Sequence, residues 1–335
     1  MAVHTVLKRR TLESLIKPYK LGELSAFCGV AAGSVNTYYR LEFGKSKFFL
    51  KVDEVKDAEQ AQREIELLAF LRTKGIACPR PIADQNGLLL REYRGKVVSV
   101  YAALSGKERA VEQISPEHLH QVGKTLATLH LAGQSYKPSL KNRFSFACIR
   151  NLYLRMNLPA HLKQVKHTLD DELAHHEEYL EERLPKGVIH GDLFADNLLF
   201  RGKKVSGVLD FEAAAQGKLI SDLATAVNAL CYLDGRYHLD RFNALIDGYQ
   251  EMRTLALVEW DAFPNELRFS ALRFTVTRLK DFVFRSVNRK RRVHKDYQDF
   301  LDRLAVLRRE RQGGMDKLLL AMATGYDYRK YQKVQ

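Results

Sequence analysis

The sequence has few of the features that mark membrane, secreted or disulfide-rich proteins. No hydrophobic run reaches the length of about 18 residues that a membrane-spanning helix needs. The N-terminal residues contain no apolar signal-peptide core. The four cysteines lie far apart, which excludes a dense disulfide framework and a CxxC metal site; they are Cys28, Cys78, Cys148 and Cys231. We therefore expect a cytoplasmic protein that has no membrane partner.

Two common nucleotide-binding motifs are missing as well. A P-loop requires glycine at the position that is Tyr39 here, so Gly44-Lys-Ser46 is not part of a Walker A motif. The glycines of the segment 28–37 do not form a G-x-G-x-x-G pattern either. Any nucleotide site in this chain must therefore be built from other residues.

The charge of the chain is unbalanced toward basic residues. Lys and Arg number 54 against 40 Asp and Glu, which gives a net charge of +14. Many of the basic residues lie between positions 285 and 311. A solvated helix face explains such a stretch, and so does a surface that binds a polyanion. Because the chain has no aromatic-interleaved basic motif of the kind that binds RNA, no nucleic-acid partner is expected.

The N-terminal third of the chain reads as a small β-rich unit. Strand patterns occupy 28–43, 47–52, 88–90 and 97–104. One helix interrupts them, because apolar residues recur at helical spacing from 58 to 73. This part is therefore predicted as an antiparallel sheet with one helix.

The remaining residues read as mostly helical, with one β-hairpin at 198–209. Helices are predicted over 116–131, 162–184, 221–233, 240–256 and 264–287. The fold class is therefore α+β, and the layout is that of a bilobal, protein-kinase-like fold. We predict an N-lobe, a larger helical C-lobe and a basic C-terminal tail, at 1–104, 105–312 and 313–335.

The residues around the hairpin carry the strongest chemical signal. His190-Gly-Asp192 is followed by Asn197 at the spacing of the kinase catalytic loop, and Asp210 ends the hairpin that comes next. Each aspartate alone is also common in turns, so only the combination indicates a kinase. Phosphoryl transfer needs a group that accepts the proton of the attacking hydroxyl and oxygen ligands for magnesium. We predict Asp192 as the catalytic base and Asn197 and Asp210 as ligands of Mg²⁺.

Two further residues are predicted to support this loop. His190 has no second His or Cys at ligand spacing, so we expect it to order the loop through hydrogen bonds and not to bind a metal. Asp222 has two structural interpretations. It caps the start of a helix, or it accepts backbone N–H groups of the catalytic loop, as the corresponding aspartate does in kinases. We favour the second.

The N-terminal unit offers a cation for the phosphates of a nucleotide. Lys51 lies in a strand pattern after the glycine-containing turn, where kinases place the lysine that contacts the α- and β-phosphates. Its expected ion-pair partner is Glu64 on the predicted helix, with Glu59 and Glu66 as rivals. The structural alternative is an exposed lysine on an edge strand.

Two more segments complete the predicted nucleotide site. Gly33 and Ser34, in the glycine-containing turn, are predicted to cover the phosphates. Tyr101 and Ala103 lie where the strands give way to helices, and we predict that the adenine of ATP binds against this hinge.

Several motifs resemble those of one known family. They are the catalytic-loop motif Asp192-Leu-Phe-Ala-Asp-Asn197 and parts of the segments 29–37, 79–82, 129–133, 187–190, 206–211, 222–228, 271–279 and 294–296. The set resembles the aminoglycoside phosphotransferase and choline kinase group. Within that group it is most similar to bacterial homoserine kinases of the aminoglycoside-phosphotransferase-like type. The resemblance spans most of the chain.

The resemblance implies transfer of the γ-phosphate of ATP to a small-molecule alcohol substrate, with ATP and Mg²⁺ as cofactors. It implies L-homoserine as an amino-acid acceptor, on the route to threonine. Another small alcohol, such as an aminoglycoside, a choline-like or a thiosugar acceptor, is an alternative substrate. A nucleotide-binding regulatory module with a polyanion-binding basic face is a second alternative, although an intact Asp192, Asn197 and Asp210 argue against it. We expect a monomer or a homodimer.

An amino-acid acceptor needs a cation for its carboxylate. Arg278 and Asp281 are three residues apart on a predicted helix, so they lie on one face of it. An arginine can bind a carboxylate through two parallel hydrogen bonds. We predict that Arg278 and Asp281 bind the acceptor; the alternative is a surface ion pair between them.

Overall fold

The computed structural model describes residues 5–30, 35–179, 183–284 and 295–311. These residues divide into two units. The first unit comprises the described part of Met1–Ser105 together with Gly207–Leu209, and the second comprises the other described residues. The sequence places 207–209 in the C-lobe, whereas the structure groups them with the first unit, where the N–H of Val208 donates to the carbonyl of Ala77 at 2.8 Å. The predicted tail, 313–335, lies outside the described residues.

An antiparallel sheet organises the first unit. Its strands are β1 (Ala26–Val30), β2 (Thr37–Phe43), β3 (Ser46–Val52), β4 (Arg80–Pro81), β5 (Arg91–Tyr93) and β6 (Lys96–Ala102). Their spatial order is β1-β2-β3-β6-β4, and β5 also pairs with β6. The run 88–90 was predicted as a strand, but the N–H of Leu88 donates to the carboxylate of Asp84 at 3.0 Å and closes a turn instead.

The hydrophobic core of this unit lies against one face of the sheet. Along β2 the residues Tyr39, Leu41 and Phe43 are buried and alternate with more exposed ones, which is the pattern of a strand with one covered face. Helix α1 (Arg9–Ile16) adds Leu12 and Ile16 to the same core. The burial of these apolar side chains is the main source of stability for a unit of this kind.

A second helix, α2 (Ala58–Thr73), carries the glutamates that the sequence analysis singled out. It begins after Asp57, whose side chain accepts the N–H of Gln60 at 2.8 Å and satisfies one of the free donors of the first turn. Its buried residues Ile65, Leu68 and Leu71 recur at helical spacing.

The second unit is mainly helical. Its helices are α3 (Pro116–Gly133), α4 (Phe146–Leu154), α5 (Lys163–Glu178), α6 (Leu219–Leu230), α7 (Leu239–Met252), α8 (Leu257–Phe284) and α9 (Gln298–Arg311). The strands that follow β6 in the chain are β7 (Lys186–Ile189), β8 (Leu198–Arg201), β9 (Lys204–Val208), β10 (Ala215–Lys218), β11 (Tyr232–Leu233) and β12 (Arg236–Tyr237). They form two-stranded sheets, β7 with β10, β8 with β9, and β11 with β12. Among the described residues, no helix is long and apolar enough to cross a membrane.

Helices α3 and α7 approach each other at two glycines. A Cβ atom on Gly123 would lie 2.0 Å from the carbonyl oxygen of Leu245, and one on Gly248 would lie 1.9 Å from that of His120. Real Cβ atoms do not approach this closely, so the two backbones pack together only because both positions lack a side chain. This packing determines which side chains of α3 and α7 meet further along.

Several elements differ from the sequence-based expectation. Helix α8 begins at Leu257, not at Pro264. Proline is common at the first helical position, which is why the sequence predicts a start there, but Pro264 lies inside the helix. Helix α5 ends at Glu178, before the predicted limit at 184. The sequence does not predict three further features, namely helix α4, helix α9 and the pairing of β7 with β10. The two strands of that pair are short and are far apart in the chain, so no local turn signal links them.

Candidate active site

Asp192 lies in the loop that connects β7 to β8. The residue before it, Gly191, has a φ angle of +76°, a backbone conformation that other residues rarely adopt. A Cβ atom at this position would also lie 2.9 Å from the carbonyl oxygen of Ala213. The loop therefore requires glycine at 191, and it leaves Asp192 half-buried.

Asn197 is bonded to Asp192 across the same loop. Its side-chain Nδ2 donates to the backbone carbonyl oxygen of Asp192 at 2.8 Å and lies 3.4 Å from the carboxylate oxygen Oδ2. Asn197 is only 8% exposed. Because the amide nitrogen is engaged, the amide oxygen is the atom of Asn197 that has affinity for a cation.

Asp222, at the start of α6, accepts hydrogen bonds from the backbone of the catalytic loop. The N–H of His190 donates to its Oδ2 at 2.6 Å, and the N–H of Gly191 donates to its Oδ1 at 2.7 Å. Burial by itself would raise the pKa of Asp222, but the hydrogen bond with His130 and the charge interactions outweigh it and lower the pKa. The sequence leaves two interpretations of Asp222, a helix cap or an acceptor for the loop backbone, and these hydrogen bonds agree with the second.

His130 and Tyr249 extend this network into the core. His130 Nε2 lies 3.1 Å from Oδ2 of Asp222, and His130 Nδ1 lies 2.7 Å from the hydroxyl of Tyr249. His130 is on α3 and Tyr249 on α7, so the close packing of these helices brings both to Asp222. The segment 129–133 carries part of the family resemblance, but the sequence predicts no role for His130. Its only local signal is a histidine on a buried helix face.

The ring of His190 is fully buried under the loop. It packs edge-to-face against Phe211 with 4.8 Å between the ring centres. The backbone N–H of Asp192 donates to its Nδ1 at 3.2 Å. These contacts order the loop, which is the structural role that the sequence predicts for His190.

Asp210 follows β9 in a strained backbone conformation. Its φ and ψ angles are 57° and 68°, in the left-handed region that few residues other than glycine adopt. Its carboxylate oxygen Oδ1 accepts the N–H of Glu212 at 3.4 Å, and its side chain is exposed. Such strain persists where the surrounding structure requires it, often at functional sites.

The donor atoms of Asn197 and Asp210 fit the ion that we predict for them. Both offer oxygen ligands, which magnesium prefers. No cluster of three or more His, Cys, Asp or Glu residues that could hold a metal is found in the described part of the chain. Magnesium commonly binds through one or two protein side chains and completes its shell with water and substrate phosphates, so two oxygen ligands are sufficient.

Lys51 of the first unit is a buried cation with carboxylate partners. Its Nζ lies 3.0 and 3.2 Å from the two carboxylate oxygens of Glu64 and 3.3 Å from Asp53. The side chain of Lys51 is 2% exposed. Lys56 also contacts Glu64. Lys51 is therefore not an exposed edge-strand lysine, because its side chain is buried and β3 pairs with β2 on one side and β6 on the other.

The rival glutamates of α2 have other partners. Glu59 pairs with Arg63 at the surface, and Glu66 accepts a hydrogen bond from Gln62 at 3.0 Å. The ion-pair partner of Lys51 on α2 is therefore Glu64.

The remaining predicted nucleotide residues are only partly described. Tyr101 is buried in β6, and burial raises the pKa of its hydroxyl. The backbone N–H of Ala103 donates to the carbonyl of Lys47 at 3.0 Å. Gly33 and Ser34 lie outside the described residues. The roles of all four in ATP binding stay predictions.

Arg278 contacts α9 and the segment before it. Its Nη1 donates to the carbonyl of Asp296 at 2.8 Å and lies 3.0 Å from the carboxylate of Asp299. The guanidinium also covers the ring of Phe300 at 4.6 Å. The structure thus gives Arg278 a carboxylate partner, Asp299, that the sequence analysis did not consider. Whether Arg278 and Asp281 bind the acceptor stays a prediction.

Two of the described arginines near the end of the chain contact the protein itself. Arg303 donates to the carbonyl of Asn228 at 2.9 Å, and Arg308 donates to the carbonyl of Thr168 at 2.8 Å. These arginines attach α9 to the rest of the second unit. The basic cluster at 285–292 lies outside the described residues.

Comparison with known families identifies the chain. The profile of the "Phosphotransferase enzyme family" matches residues 27–255. The chain belongs to this family. The resemblance to aminoglycoside phosphotransferases noted in the sequence is thereby confirmed. The similarity covers the catalytic loop, Lys51 and the network around Asp222.

Relatives of this phosphotransferase extend over most of its length. The homoserine kinase of Methylobacillus flagellatus is 34% identical over 290 residues, which are 85% of this chain and 88% of that protein. The homoserine kinase of Rhizobium meliloti is 33% identical over 289 residues, which are 84% of this chain and 87% of that protein.

Solved structures share the fold at low sequence identity. The match to an amicoumacin kinase in complex with AMP-PNP, Ca²⁺ and Ami covers 97% of both chains, with a TM-score of 0.72 and 14% identity. A spectinomycin phosphotransferase in complex with ADP and spectinomycin covers 95% of this chain and 99% of its own, with a TM-score of 0.66 and 12% identity. The predicted protein-kinase-like α+β fold is therefore confirmed.

Proposed function

We propose that this phosphotransferase is a homoserine kinase, which converts L-homoserine and ATP to O-phospho-L-homoserine and ADP. The observation that carries the proposal is the identity of 33–35% with several homoserine kinases over most of both chains. The same alignment spans the catalytic loop and the segment with Lys51, so the proposal concerns an intact enzyme and not a related binding module. The product belongs to the route to threonine.

Asp192 is the proposed catalytic base. It is half-buried, and its backbone is held on both sides, by Asn197 from one direction and by the His190 ring from the other. A base must keep its position relative to the attacking hydroxyl, since proton transfer depends on geometry first. In this proposal Asp192 accepts the proton of the homoserine hydroxyl as that oxygen attacks the γ-phosphate.

Lys51, Asn197 and Asp210 are the proposed contacts of the magnesium–nucleotide complex. Lys51, held by Glu64, contacts the α- and β-phosphates of ATP. Asn197 and Asp210 hold magnesium, which, when bound, neutralises negative charge on the phosphates. AMP-PNP and ADP in the two kinases of similar fold support ATP as the donor.

Two alternative functions would give different results in an acceptor screen. The first is the same reaction on another small alcohol, since structures of similar fold belong to kinases named for amicoumacin, spectinomycin and aminopropanol. The second is a regulatory module with a polyanion-binding basic face. The contacts of Arg303 and Arg308 with the protein itself weaken it, because these two guanidinium groups are already bonded.

An acceptor screen tests the proposal. ADP release is measured with L-homoserine, choline, an aminoglycoside and methylthioribose, each with MgATP. We expect kcat/KM for L-homoserine to exceed that for every other acceptor. A higher value for one of the others would replace homoserine as the acceptor, and no ADP release with any alcohol would favour the regulatory module. Salt-dependent binding to a nucleic acid would then test that module directly.

A further inference from the structure

A cavity inside the second unit lies behind the catalytic loop. Its volume is about 530 Å³, and α4, α6, α8 and the β7–β10 pair contribute to its walls. Gly191, the neighbour of Asp192, is part of the lining. On α8 the lining residues Glu266, Phe269, Ser270 and Arg273 recur at helical spacing, so one face of that helix points into the cavity. The cavity is large enough for a small polar molecule.

Arg273 is the buried cation of this cavity. The residue is 7% exposed, and its guanidinium lies between two aromatic rings, 4.1 Å from the centre of Phe144 and 4.4 Å from that of Phe274. Burial lowers its pKa to about 10, although the charges of Asp192 and Asp222 act in the opposite direction. Arg273 therefore stays protonated at neutral pH, with its charge only partly compensated by the rings.

One edge of the Arg273 guanidinium has no hydrogen-bond partner among the residues that the structure describes. Nη1 donates to the carbonyl oxygen of Gly191 at 2.5 Å, whereas Nε is buried without a hydrogen-bond partner in the described part of the chain. No carboxylate of the described residues forms an ion pair with Arg273. The edge formed by Nε and Nη2 has the geometry that binds a carboxylate through two parallel hydrogen bonds.

The other charged groups of the cavity are engaged or exposed. Lys218 pairs with the buried carboxylate of Glu266 at 2.8 Å, and Ser221 also donates to Glu266. Lys186 is exposed to solvent. Asp222 is bonded to the catalytic loop. Arg273 is therefore the group of this cavity best able to attract an anionic ligand.

The size of an amino-acid alcohol agrees with this placement. The carboxylate and hydroxyl of extended L-homoserine are about 5 Å apart, as bond lengths near 1.5 Å require. Arg273 bonds to Gly191, and the next Cα atom of the chain, that of Asp192, follows at about 3.8 Å. A carboxylate bound to Arg273 would lie near the loop that carries Asp192, whose charge also acts on Arg273.

We propose that Arg273 is the specificity-determining residue that binds the carboxylate of an amino-acid acceptor in this cavity. The inference rests on the proposed function for the class of acceptor and adds the residue that recognises it. It also has a consequence for selectivity. Cationic acceptors such as aminoglycosides and choline would be repelled by a buried guanidinium, whereas an amino acid brings a carboxylate that can bond to it.

The test removes the carboxylate from the acceptor and the guanidinium from the enzyme. The acceptors are L-homoserine and 3-aminopropan-1-ol, which is the same molecule without its carboxylate. We expect Arg273→Lys to lower kcat/KM for L-homoserine at least about 30-fold, mainly through KM, because lysine cannot make two parallel hydrogen bonds. The same substitution should change kcat/KM for 3-aminopropan-1-ol less than about threefold.

Arg268→Lys is the matched control. Arg268 is a buried arginine of the same helix, but it is bonded to Glu172 at 2.6 and 2.8 Å and is not part of the cavity lining. Its loss should affect both acceptors by the same factor. Thermal unfolding and MgADP binding show whether each variant is folded.

If Arg273→Lys does not fold, two inhibitors of the wild-type enzyme replace it. L-2-aminobutyrate is homoserine without the hydroxyl, and propylamine lacks the carboxylate as well. An inhibition constant at least about 30-fold lower for L-2-aminobutyrate supports a site for the carboxylate, and a ratio under about threefold overturns it.

The outcomes separate the inference from the proposed function. If homoserine is phosphorylated but Arg273→Lys lowers kcat/KM for both acceptors alike, the inference is wrong and the proposed function stands. If another alcohol with a carboxylate, such as L-serine, is the acceptor and shows the Arg273 effect, the proposed function is wrong and the inference stands. If only alcohols without a carboxylate are phosphorylated, both are wrong.

Discussion

Lys51 in the first unit and Asp222 in the second are both buried charges, but their partners differ in kind. Lys51 is held by side chains, with Glu64 at 3.0 Å and Asp53 at 3.3 Å. Asp222 is held mainly by the backbone, through the N–H groups of His190 and Gly191 at 2.6 and 2.7 Å. The carboxylates around Lys51 position a single ammonium group, whereas Asp222 determines the shape of the whole catalytic loop.

The difference predicts different responses to mutation. When one carboxylate beside Lys51 is lost, the other remains near the ammonium group, so the effect should be graded. When Asp222 is lost, two backbone donors and the ring of His130 lose their acceptor together. Buried polar networks of this kind fail as a unit, since each unsatisfied group is costly at low dielectric. Loss of Asp222 should therefore disturb the groups that the loop carries, Asp192 and Asn197, together.

The largest expected effect concerns Asp210. Because we propose it as a magnesium ligand, Asp210→Ala should abolish magnesium-dependent binding of ATP, since the phosphate charge loses a protein-anchored counter-ion. Isothermal titration calorimetry with ATP, with and without Mg²⁺, measures this. An affinity and a magnesium requirement equal to those of the wild type would remove Asp210 from the site.

Asp192→Asn comes next. The substitution keeps the shape of the side chain and removes the charge that accepts the hydroxyl proton. We expect kcat to fall about 10²-fold or more with little change in ATP affinity, because general-base catalysis contributes on that order. Steady-state kinetics, with thermal unfolding as the check on folding, gives the answer. A loss under about fivefold in a folded variant would contradict the role of Asp192.

Asp222→Asn sharpens the comparison through stability. An amide cannot accept on its nitrogen side, so one of the two backbone N–H groups or the ring of His130 is left unsatisfied. We expect the free energy of unfolding to fall by about 3 kcal/mol, in the range for breaking a buried charged contact. Urea unfolding measures it, with Asp261→Asn as the control because Asp261 is exposed on α8 and should change stability by less than about 0.5 kcal/mol. Equal effects of the two substitutions would show that the network contributes little.

Glu64→Gln tests the side-chain arrangement of the first unit. Lys51 keeps Asp53 at 3.3 Å, so we expect a limited rise in KM for MgATP, about tenfold, without loss of folding. Glu59→Gln is the matched control, since Glu59 is on the same helix and forms an exposed pair with Arg63. Such pairs contribute little. If both variants raise KM equally, the pairing with Lys51 does not matter for the nucleotide.

Which parts of the site the sequence predicts depends on how far apart the contacting residues are in the chain. Residues close together in the chain, such as His190, Asp192 and Asn197, carry a spacing that indicates their chemistry. His130 is 92 residues from Asp222, and Arg273 is 82 residues from Gly191. These contacts depend on how α3, α7 and α8 pack, which in turn depends on details such as the glycines at 123 and 248. Local sequence patterns do not reveal such packing, so the loop and its bonding to Asp222 were predicted, whereas the roles of His130 and Arg273 were not.

Arg278 provides the smallest expected effect and a direct contrast with Arg273 on the same helix. The sequence-based prediction requires Arg278→Lys to raise KM for L-homoserine at least about tenfold, equivalent to about 1.4 kcal/mol. The structure shows Arg278 bonded to Asp296 and Asp299, with its guanidinium on the ring of Phe300. We therefore expect a rise below tenfold, and below that of Arg273→Lys, with KM for ATP unchanged.

The two arginine variants are measured with the same homoserine titrations. A rise of tenfold or more in Arg278→Lys alone would assign the carboxylate to Arg278 and Asp281 and exclude Arg273 from that role. A large rise in both variants would mean that the acceptor reaches both guanidinium groups. Both arginines are close enough to Asp192 for its charge to act on them, so an acceptor beside Asp192 could contact both. A rise in Arg273→Lys alone places the acceptor in the cavity behind Gly191, where the unpartnered Nε of Arg273 is the group that an amino-acid carboxylate would satisfy.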